Sequence, residues 1–469
     1  MADLSALVKA YDVRGLVPEQ LDETVSRALG AAFADLVRSD VVIGHDMRPS
    51  SPGLARAFAQ GVVDRGCSVT MVGLCSTDGL YFASGHLDLA GAMFTASHNP
   101  AQYNGIKLCR PGARPVGADT GLTDVRSAAE RYLDSGVPAI SPGGSVRQQD
   151  VLPAYAAHLR SLVDLTAIRP LKVVVDAGNG MAGLTTPAVL GTAAGLPALP
   201  LDIVPLYFEL DGSFPNHEAN PLDPGNLVDL QAAVTAHGAD AGLAFDGDAD
   251  RCFVIDEQGR PVSPSAVTAL VATREIRRER AAGRPATVLH NLISSAAVPE
   301  LIAEAGGRPV RTRVGHSYLK AQMSAEGAVF GGEHSGHYYF RDFWNADTGM
   351  LAALHVLAAL GEQAQPLSRL AARYERYVAS GEINSRVNDV PAAMARVRAA
   401  YPDEEHDDLD GLTVTHRPDR PGDGLWWFNL RPSNTEPLLR LNAEAADAVT
   451  MTRVRDAVLA RVREEEEER

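Results

Sequence analysis

The sequence contains few cysteines and few aromatic residues, and it lacks long apolar runs. Its 469 residues include four cysteines, none of them in a CxxC pair, and aromatic residues make up 6% of the chain. The beginning has no basic segment followed by an apolar core, so an export signal is not indicated; we expect free thiols and a cytoplasmic protein. No apolar stretch approaches the roughly 18 residues that indicate a membrane span.

The chain also contains fewer basic than acidic residues. The formal net charge is −16 at pH 7, and part of it comes from an acidic run at residues 464–468. Such a charge opposes non-specific attraction to nucleic acid or to anionic membrane surfaces. We therefore expect neither of these partners.

The chain is long enough for several domains. At roughly 100–200 residues per domain, its length predicts three or four. Amphipathic helices alternate with short β-branched strands, which indicates parallel α/β construction, until about residue 373, where short strands begin to dominate. We predict three α/β domains and a last α+β domain, over residues 1–146, 147–256, 257–373 and 374–469.

The loop 95–100, Thr-Ala-Ser-His-Asn-Pro, follows an apolar strand and carries a candidate nucleophile. Phosphoryl transfer through a covalent intermediate needs a hydroxyl on a fixed loop with a cationic group nearby, and Ser97 beside His98 offers both. A turn in which Ser97 and Asn99 only cap backbone groups is the alternative. Taken alone, the loop leaves both interpretations open.

Three carboxylates stand at alternate positions of one short loop. Asp246, Asp248 and Asp250 follow an apolar strand, and they would repel one another strongly without a cation between them. An EF-hand loop is excluded because Arg251 stands where that loop needs glycine and apolar residues follow. A solvated acidic turn fits poorly directly after a buried strand, so the loop predicts a Mg²⁺ site.

Two later loops combine polar side chains with glycine or proline. The loop 332–337 offers a carboxylate, a hydroxyl and imidazoles, a mixture suited to sugar hydroxyls, although an ordinary polar hairpin would look similar. The loop 431–437 joins Arg431 to Ser, Asn and Thr donors, which suits a phosphate dianion; a capping turn is the alternative.

One further pattern, at residues 178–183, matches the dinucleotide-binding fingerprint GxGxxG after a strand. The acidic residue that should follow, Asp202, falls at the beginning of an apolar run rather than at the end of a strand. We therefore interpret these glycines as a device for close packing of a helix on a sheet.

Taken together, the motifs YDVRG, TASHNP, DGDADR, GEHSGH and RPSNTEP occur in an order that resembles the α-D-phosphohexomutase family over nearly the whole chain. Within it, the chain is more similar to bacterial phosphomannomutase/phosphoglucomutase than to the phosphoglucosamine branch. It departs from the family pattern at Ala96, often glycine, and at His334, where methionine is common.

The resemblance implies three related mixed α/β domains plus a C-terminal α+β domain around a central cleft. It implies a phosphoserine at Ser97, Mg²⁺ held by Ser97, Asp246, Asp248 and Asp250, and a hexose 1,6-bisphosphate intermediate. The small-molecule partners would be mannose or glucose phosphates. The other implied roles are sugar binding by Glu333 and Ser335, phosphate binding by Arg431, Ser433, Asn434 and Thr435, proton transfer by Arg14, Lys107 or His337, and lining of the cleft by Tyr11, Arg251 and His316.

Three other functions stay open at this point. One is a phosphoglucosamine mutase. Another is a sugar-phosphate phosphatase in which an aspartate of the acidic loop is itself phosphorylated. The third is a non-catalytic sugar-phosphate sensor, which the presence of Ser97 and all three aspartates disfavours.

Overall fold

The computed structural model describes residues 2–140, 143–418, 424–432 and 438–464, except for the side chains of residues 316 and 317. Within these ranges the chain forms four β-sheets, one after another along the sequence. The first three sheets mix parallel and antiparallel strands and the fourth is antiparallel, which confirms the predicted fold class.

The first sheet has the strand order β1-β5-β4-β2-β3-β7, with β6 attached to β5. Its strands are β1 (Val13–Leu16), β2 (Val41–His45), β3 (Val69–Leu74), β4 (Ala90–Phe94), β5 (Tyr103–Arg110), β6 (Arg114–Pro115) and β7 (Val146–Gln148). Its helices are α1 (Glu23–Val37), α2 (Ser51–Asp64), α3 (Thr77–Leu87) and α4 (Leu122–Ser135). Strands β2, β3, β4 and β7 run parallel, and β5 turns back against β4.

The second sheet has the order β12-β11-β10-β8-β9. Its strands are β8 (Leu171–Asp176), β9 (Leu201–Leu206), β10 (Ala241–Phe245), β11 (Cys252–Asp256) and β12 (Pro261–Val262). The accompanying helices are α5 (Leu152–Leu162), α6 (Ala182–Val189) and α7 (Val228–His237). Here too, parallel strands end in an antiparallel return, from β10 to β11.

The third sheet repeats this plan in the order β14-β13-β15-β16-β17. Its strands are β13 (Thr287–Asn291), β14 (Arg308–Thr312), β15 (Phe330–Gly332), β16 (Tyr338–Phe340) and β17 (Ala346–Asp347). Its helices are α8 (Pro264–Ala281), α9 (Ala297–Glu304), α10 (His316–Glu326), α11 (Gly349–Gly361) and α12 (Leu367–Ala371). The antiparallel return again follows the last parallel strand, from β15 to β16.

The fourth sheet is antiparallel throughout, in the order β18-β22-β21-β20-β19. Its elements are β18 (Val378–Arg386), α13 (Val390–Ala399), β19 (Glu405–Asp407), β20 (Leu412–His416), β21 (Trp426–Pro432), β22 (Leu438–Ala445) and α14 (Ala448–Arg463). Antiparallel strands can be joined by short connections, whereas parallel strands need a crossover, usually a helix, and helices are accordingly scarcer here than earlier in the chain.

Small aliphatic side chains fill most of the interior, as the low aromatic content predicts. One continuous core joins the second and third sheets and extends under α3 of the first unit. Helix α11 lies inside this core and is apolar all round, which is typical of a buried helix. The fourth sheet and its two helices enclose a separate core.

The first sheet continues to Gln148 and the second to Val262, slightly past the predicted boundaries at 146 and 256. The domain boundaries themselves stay predictions. The four cysteines are free thiols, as expected. None of the helices in the described ranges is both long and apolar enough to cross a membrane.

Candidate active site

Three of the predicted site loops occupy the same place in three successive units. The loop of Ser97 joins β4 to β5, the aspartate loop joins β10 to β11, and the loop of Glu333 joins β15 to β16. Each follows the carboxyl end of a parallel strand, the edge at which open α/β sheets bind ligands. The repeated topology thus gives each of the first three units one functional loop at an equivalent hairpin.

Ser97 is buried and its backbone is held in the left-handed region, at φ 49°. Its amide donates to Thr95 Oγ1 at 2.9 Å, and its hydroxyl donates to Asp246 Oδ2 at 2.8 Å. The Nδ1 atom of His98 lies 3.2 Å from Ser97 Oγ, and Arg251 Nη2 lies 3.5 Å from it. The candidate nucleophile is therefore placed against a carboxylate and a guanidinium of the next unit.

The three aspartates of the metal-like loop are buried, and one carboxylate oxygen of each lies within 4.8 Å of those of the other two. Asp248 Oδ1 and Asp250 Oδ1 are buried without a hydrogen-bond partner among the described residues. Buried carboxylate oxygens without partners are costly, and hard oxygen donors in a partial cage are the ligands that Mg²⁺ prefers. The residues present fit a magnesium ion.

Two cations balance this loop, Arg251, which is buried, and Lys107, which is partly buried. Lys107 Nζ lies 2.7 Å from both Asp248 Oδ2 and Asp250 Oδ2, and Arg251 Nη2 lies 2.8 Å from Asp246 Oδ2. Burial raises the pKa of Asp246 to about 8, although the charge of Arg251 opposes the shift. For Asp248, burial acts in the same direction but Lys107 outweighs it, so its pKa is lowered.

One glycine of the GxGxxG pattern packs directly against this loop, and another packs against the segment that follows β9. A Cβ on Gly180 would meet Gly247 O at 2.7 Å, and one on Gly183 would meet Phe208 O at 2.2 Å. The amide of Met181 donates to Gly247 O at 2.9 Å. Close backbone approach therefore explains these glycines, as we predicted, and the contacts of Gly180 and Met181 support the aspartate loop.

The loop of the third unit turns its side chains toward the same aspartates. His337 Nε2 lies 3.6 Å from Asp250 Oδ1, and Ser335 Oγ lies 3.0 Å from His337 Nδ1. Glu333 is buried and accepts hydrogen bonds from Tyr339 OH at 2.7 Å and from the amide of Gly315 at 3.2 Å. Glu333, Ser335 and His337 are thus brought together beside the candidate metal loop.

Tyr11 and Arg14, from the beginning of the chain, lie at the edge of this region. Tyr11 contacts the third unit, with its ring centroid 6.2 Å from that of Tyr318 in an edge-to-face arrangement. Arg14 Nη1 donates to Asn99 Oδ1 at 2.6 Å, next to the nucleophile loop. The side chain of His316, also predicted to line the cleft, lies outside what the structure describes.

The predicted phosphate cradle belongs to the fourth unit. Arg431 is mostly buried, and its Nη2 lies 3.6 Å from Glu382 Oε2; Arg440 Nη1 lies 3.4 Å from Glu382 Oε1. Arg431 Nη1 and Arg440 Nε are buried without hydrogen-bond partners among the described residues. Two arginines therefore offer unused donors at this end of the chain. The other predicted members, Ser433, Asn434 and Thr435, lie outside the described residues.

Two residues of the site, Thr77 and Arg48, were missed in the sequence. Thr77 donates to Asp248 Oδ2 at 2.6 Å. Lys320, a polar residue of α10, has its Nζ 2.6 Å from Asp347 Oδ1 and 4.0 Å from the centroid of the Tyr81 ring. Arg48 contacts the nucleophile loop itself. One sequence signal could have pointed to Arg48: the segment 46–48 follows the buried strand β2, just as the aspartate loop follows β10.

Four family models match the chain in succession. They are described as the α/β/α domains I, II and III and the C-terminal domain of phosphoglucomutase/phosphomannomutase, and they match residues 5–132, 153–259, 263–377 and 382–461. The chain belongs to the phosphoglucomutase/phosphomannomutase family. This confirms the resemblance inferred from the ordered motifs.

Individual members of this family are similar along nearly the whole chain. A protein of Xanthomonas campestris named "Phosphohexose mutases" is 42% identical, with 93% of this chain and 94% of the relative covered. A phosphomannomutase of Salmonella typhimurium is 39% identical over 96% of this chain and 97% of its own length. A crystal structure of a family protein from Burkholderia thailandensis has a TM-score of 0.85 and 31% identity, and covers 100% of this chain and 99% of its own. The predicted enzyme class, a mutase of this family and hence an isomerase, is confirmed.

Proposed function

We propose that this mutase interconverts hexose 1-phosphate and hexose 6-phosphate through a phosphoserine at Ser97 and a hexose 1,6-bisphosphate intermediate. The observation that carries the proposal is the position of the Ser97 hydroxyl, 2.8 Å from Asp246 Oδ2 and flanked by Arg251 and His98. A serine that only capped a turn would have no need of a buried carboxylate from another unit. The proposal excludes a phosphorylated aspartate as the covalent intermediate.

The chemistry of Ser97 follows from its neighbours. Asp246 Oδ2 accepts a hydrogen bond from the Ser97 hydroxyl, which would hold Oγ in a fixed orientation for the phosphoryl group. The Arg251 guanidinium would stabilise negative charge on a phosphoryl group entering or leaving Ser97 Oγ.

Asp246, Asp248 and Asp250, together with an oxygen on Ser97, would hold the Mg²⁺ ion. When bound, the ion would supply positive charge that stabilises the phosphoryl group during transfer. Lys107 and Arg251 balance the remaining negative charge, since each forms an ion pair with these carboxylates.

The third and fourth units would hold the parts of the sugar that do not react. Glu333 and Ser335 would accept and donate hydrogen bonds to hydroxyls of the ring, and Arg431 would bind the distal phosphate with Ser433, Asn434 and Thr435. A charge-assisted bidentate contact fixes a phosphate in orientation as well as position. Because either phosphate of the intermediate can occupy this cradle, one site can serve both half-reactions.

Arg14, Lys107 and His337 are the candidates for moving the proton of the sugar hydroxyl. Among these, His337 has a ring nitrogen beside Asp250 and its other nitrogen beside Ser335, an orientation that points one nitrogen at the aspartate loop. We propose His337 for this role and assign Lys107 to charge balance, since its ammonium is already shared by two carboxylates. His98 would orient the Ser97 hydroxyl: burial, followed by the charges of Arg251 and Arg14, lowers the pKa of His98 to about 2, so its ring is neutral.

The test is to combine activity with intact-mass analysis. Wild-type protein incubated with glucose 1,6-bisphosphate should carry one phosphate that survives hydroxylamine, whereas Ser97→Ala should carry none and lose several orders of magnitude in kcat. Circular dichroism checks that the variant is folded. Near-normal activity of Ser97→Ala, or a phosphate that hydroxylamine removes, would refute the proposal.

A further inference from the structure

Arg48 is fully buried and fastens the loop of the candidate nucleophile. Its Nη2 donates to the carbonyls of Ser97 at 3.0 Å and Asn99 at 2.7 Å, and its Nη1 donates to those of Pro100 and Tyr103, each at 2.9 Å. The fifth donor, Nε, bonds Asp46 Oδ2 at 3.2 Å. A guanidinium has five N–H donors in a fixed fork, so every one of them is used.

The arginine is itself held from two sides. Asp46 is fully buried, and besides Arg48 Nε it accepts hydrogen bonds from the Arg48 amide and from Ser51 Oγ. On the opposite side the ring of Phe214, from the second unit, lies 5.1 Å from the guanidinium carbon. Because Asp46 and Phe214 hold its guanidinium in place, Arg48 can determine the backbone conformation of the loop.

The shape imposed on the loop is one that serine does not adopt readily. At φ 49° Ser97 lies in the left-handed region, which non-glycine residues enter at an energetic cost and keep only when surrounding contacts hold them. Its carbonyl oxygen bonds Arg48 and also approaches Gly247 so closely that a Cβ there would lie 2.5 Å away. The Ser97 peptide is thus confined between Arg48 and the aspartate loop.

We infer that Arg48 is a positioning residue for phosphoryl transfer: it holds the 97–103 backbone so that Ser97 Oγ faces Asp246. This inference rests on the function proposed above. Arg48 donates all its N–H groups to protein atoms, so it has none left for a substrate phosphate, and its effect reaches the reaction only through the loop. A lysine cannot replace it, because a single ammonium has three donors at one point and cannot span four carbonyls.

The experiment compares Arg48→Lys and Arg48→Ala with a matched control, Arg160→Ala. Arg160 also fastens a loop, through the carbonyls of Val189, Gly191 and Pro197, but it does so away from the catalytic loops. We expect kcat of both Arg48 variants to fall about 100-fold, which is the loss expected when a reacting group is misplaced by about 1 Å. KM should change less than about threefold. Arg160→Ala should keep wild-type kcat.

Two further readouts separate positioning from general destabilisation. Amide hydrogen exchange should accelerate in a peptide covering residues 95–105 of the Arg48 variants and not in that of Arg160→Ala. Added guanidinium at low concentration should restore part of the activity of Arg48→Ala. If Arg48→Ala does not fold, Arg48→Lys, which keeps the charge beside Asp46, decides the question.

The inference is overturned if kcat of Arg48→Lys stays within about threefold of wild type, or if kcat falls while exchange in the loop is unchanged. It is also overturned if KM rises in proportion to the loss of kcat/KM, since that would mean direct contact with substrate. If wild-type Ser97 takes up no phosphate, the proposed function fails instead, and the exchange measurement still tests the hold of Arg48 on the loop.

Discussion

Replacing Glu382 by glutamine should strengthen phosphate binding, although the removal of a contact usually weakens it. The side chain lies at a β-bulge, where the register of β18 against β22 shifts between Ala379 and Glu382. Bulges redirect side chains, and this one directs a carboxylate toward Arg431 and Arg440. Glu382 therefore occupies the place where an incoming phosphate would find its two cations.

The expected magnitude follows from the two contacts. At 3.6 and 3.4 Å, with about a third of the carboxylate exposed, each ion pair falls in the weak class of up to about 1 kcal/mol. Releasing both in Glu382→Gln should tighten phosphate binding by about 1 kcal/mol, or roughly fivefold. Arg431→Ala should act in the opposite direction, weakening binding by about 1.5–3 kcal/mol because it removes charge-assisted bonds.

Calorimetric titration with glucose 6-phosphate on a Ser97→Ala background measures this binding without turnover. A suitable control is Glu405→Gln, which breaks an ion pair with Arg417 on the opposite edge of the same sheet and should leave binding unchanged. Weaker binding by Glu382→Gln would refute the reasoning, because it would mean that the carboxylate organises the arginines rather than competing with phosphate.

Three other outcomes are expected. Asp248→Asn should weaken Mg²⁺ binding at least tenfold in a calorimetric titration without loss of the circular dichroism of the fold, since it removes one of three buried carboxylates; unchanged affinity would place the metal elsewhere. Burial raises the pKa of Glu275 from 4.5 to about 7, so the folded protein binds more protons than the unfolded chain between these values and loses about 3 kcal/mol of stability as pH rises through them. Glu275→Gln should remove this decline in thermal unfolding scans, whereas the exposed Glu304→Gln should keep it, and an unaltered pH slope in Glu275→Gln would contradict the assignment. Specificity constants for mannose and glucose 1-phosphates should agree within about tenfold, since Glu333 and Ser335 are assigned to hydroxyls that both sugars share; a thousandfold preference would direct attention to His334.

The sequence predicted the elements whose causes are local. Helix α1, for example, begins after Asp22, whose side chain accepts a hydrogen bond from Val25 N and so caps the helix. The aspartate loop was recognisable because three carboxylates cannot stand together after a buried strand without positive charge nearby. Ser97 was identifiable as the nucleophile only together with the other motifs, since a single Ser-His pair on a turn is equally suited to capping backbone groups.

What the sequence by itself determined was the family, the order of the four units and the residues that could do chemistry. Only the tertiary structure decided which of these meet and what holds them. Thr77 contacts Asp248 across 171 positions, and Arg48 reaches the carbonyls of a loop about 50 residues away. Such contacts leave no periodic or local pattern, because they arise where the ends of strands distant in sequence meet, in one sheet for Arg48 and between two sheets for Thr77. The sequence therefore shows the nucleophile and at most the position of Arg48 after a buried strand, but not the contact between them.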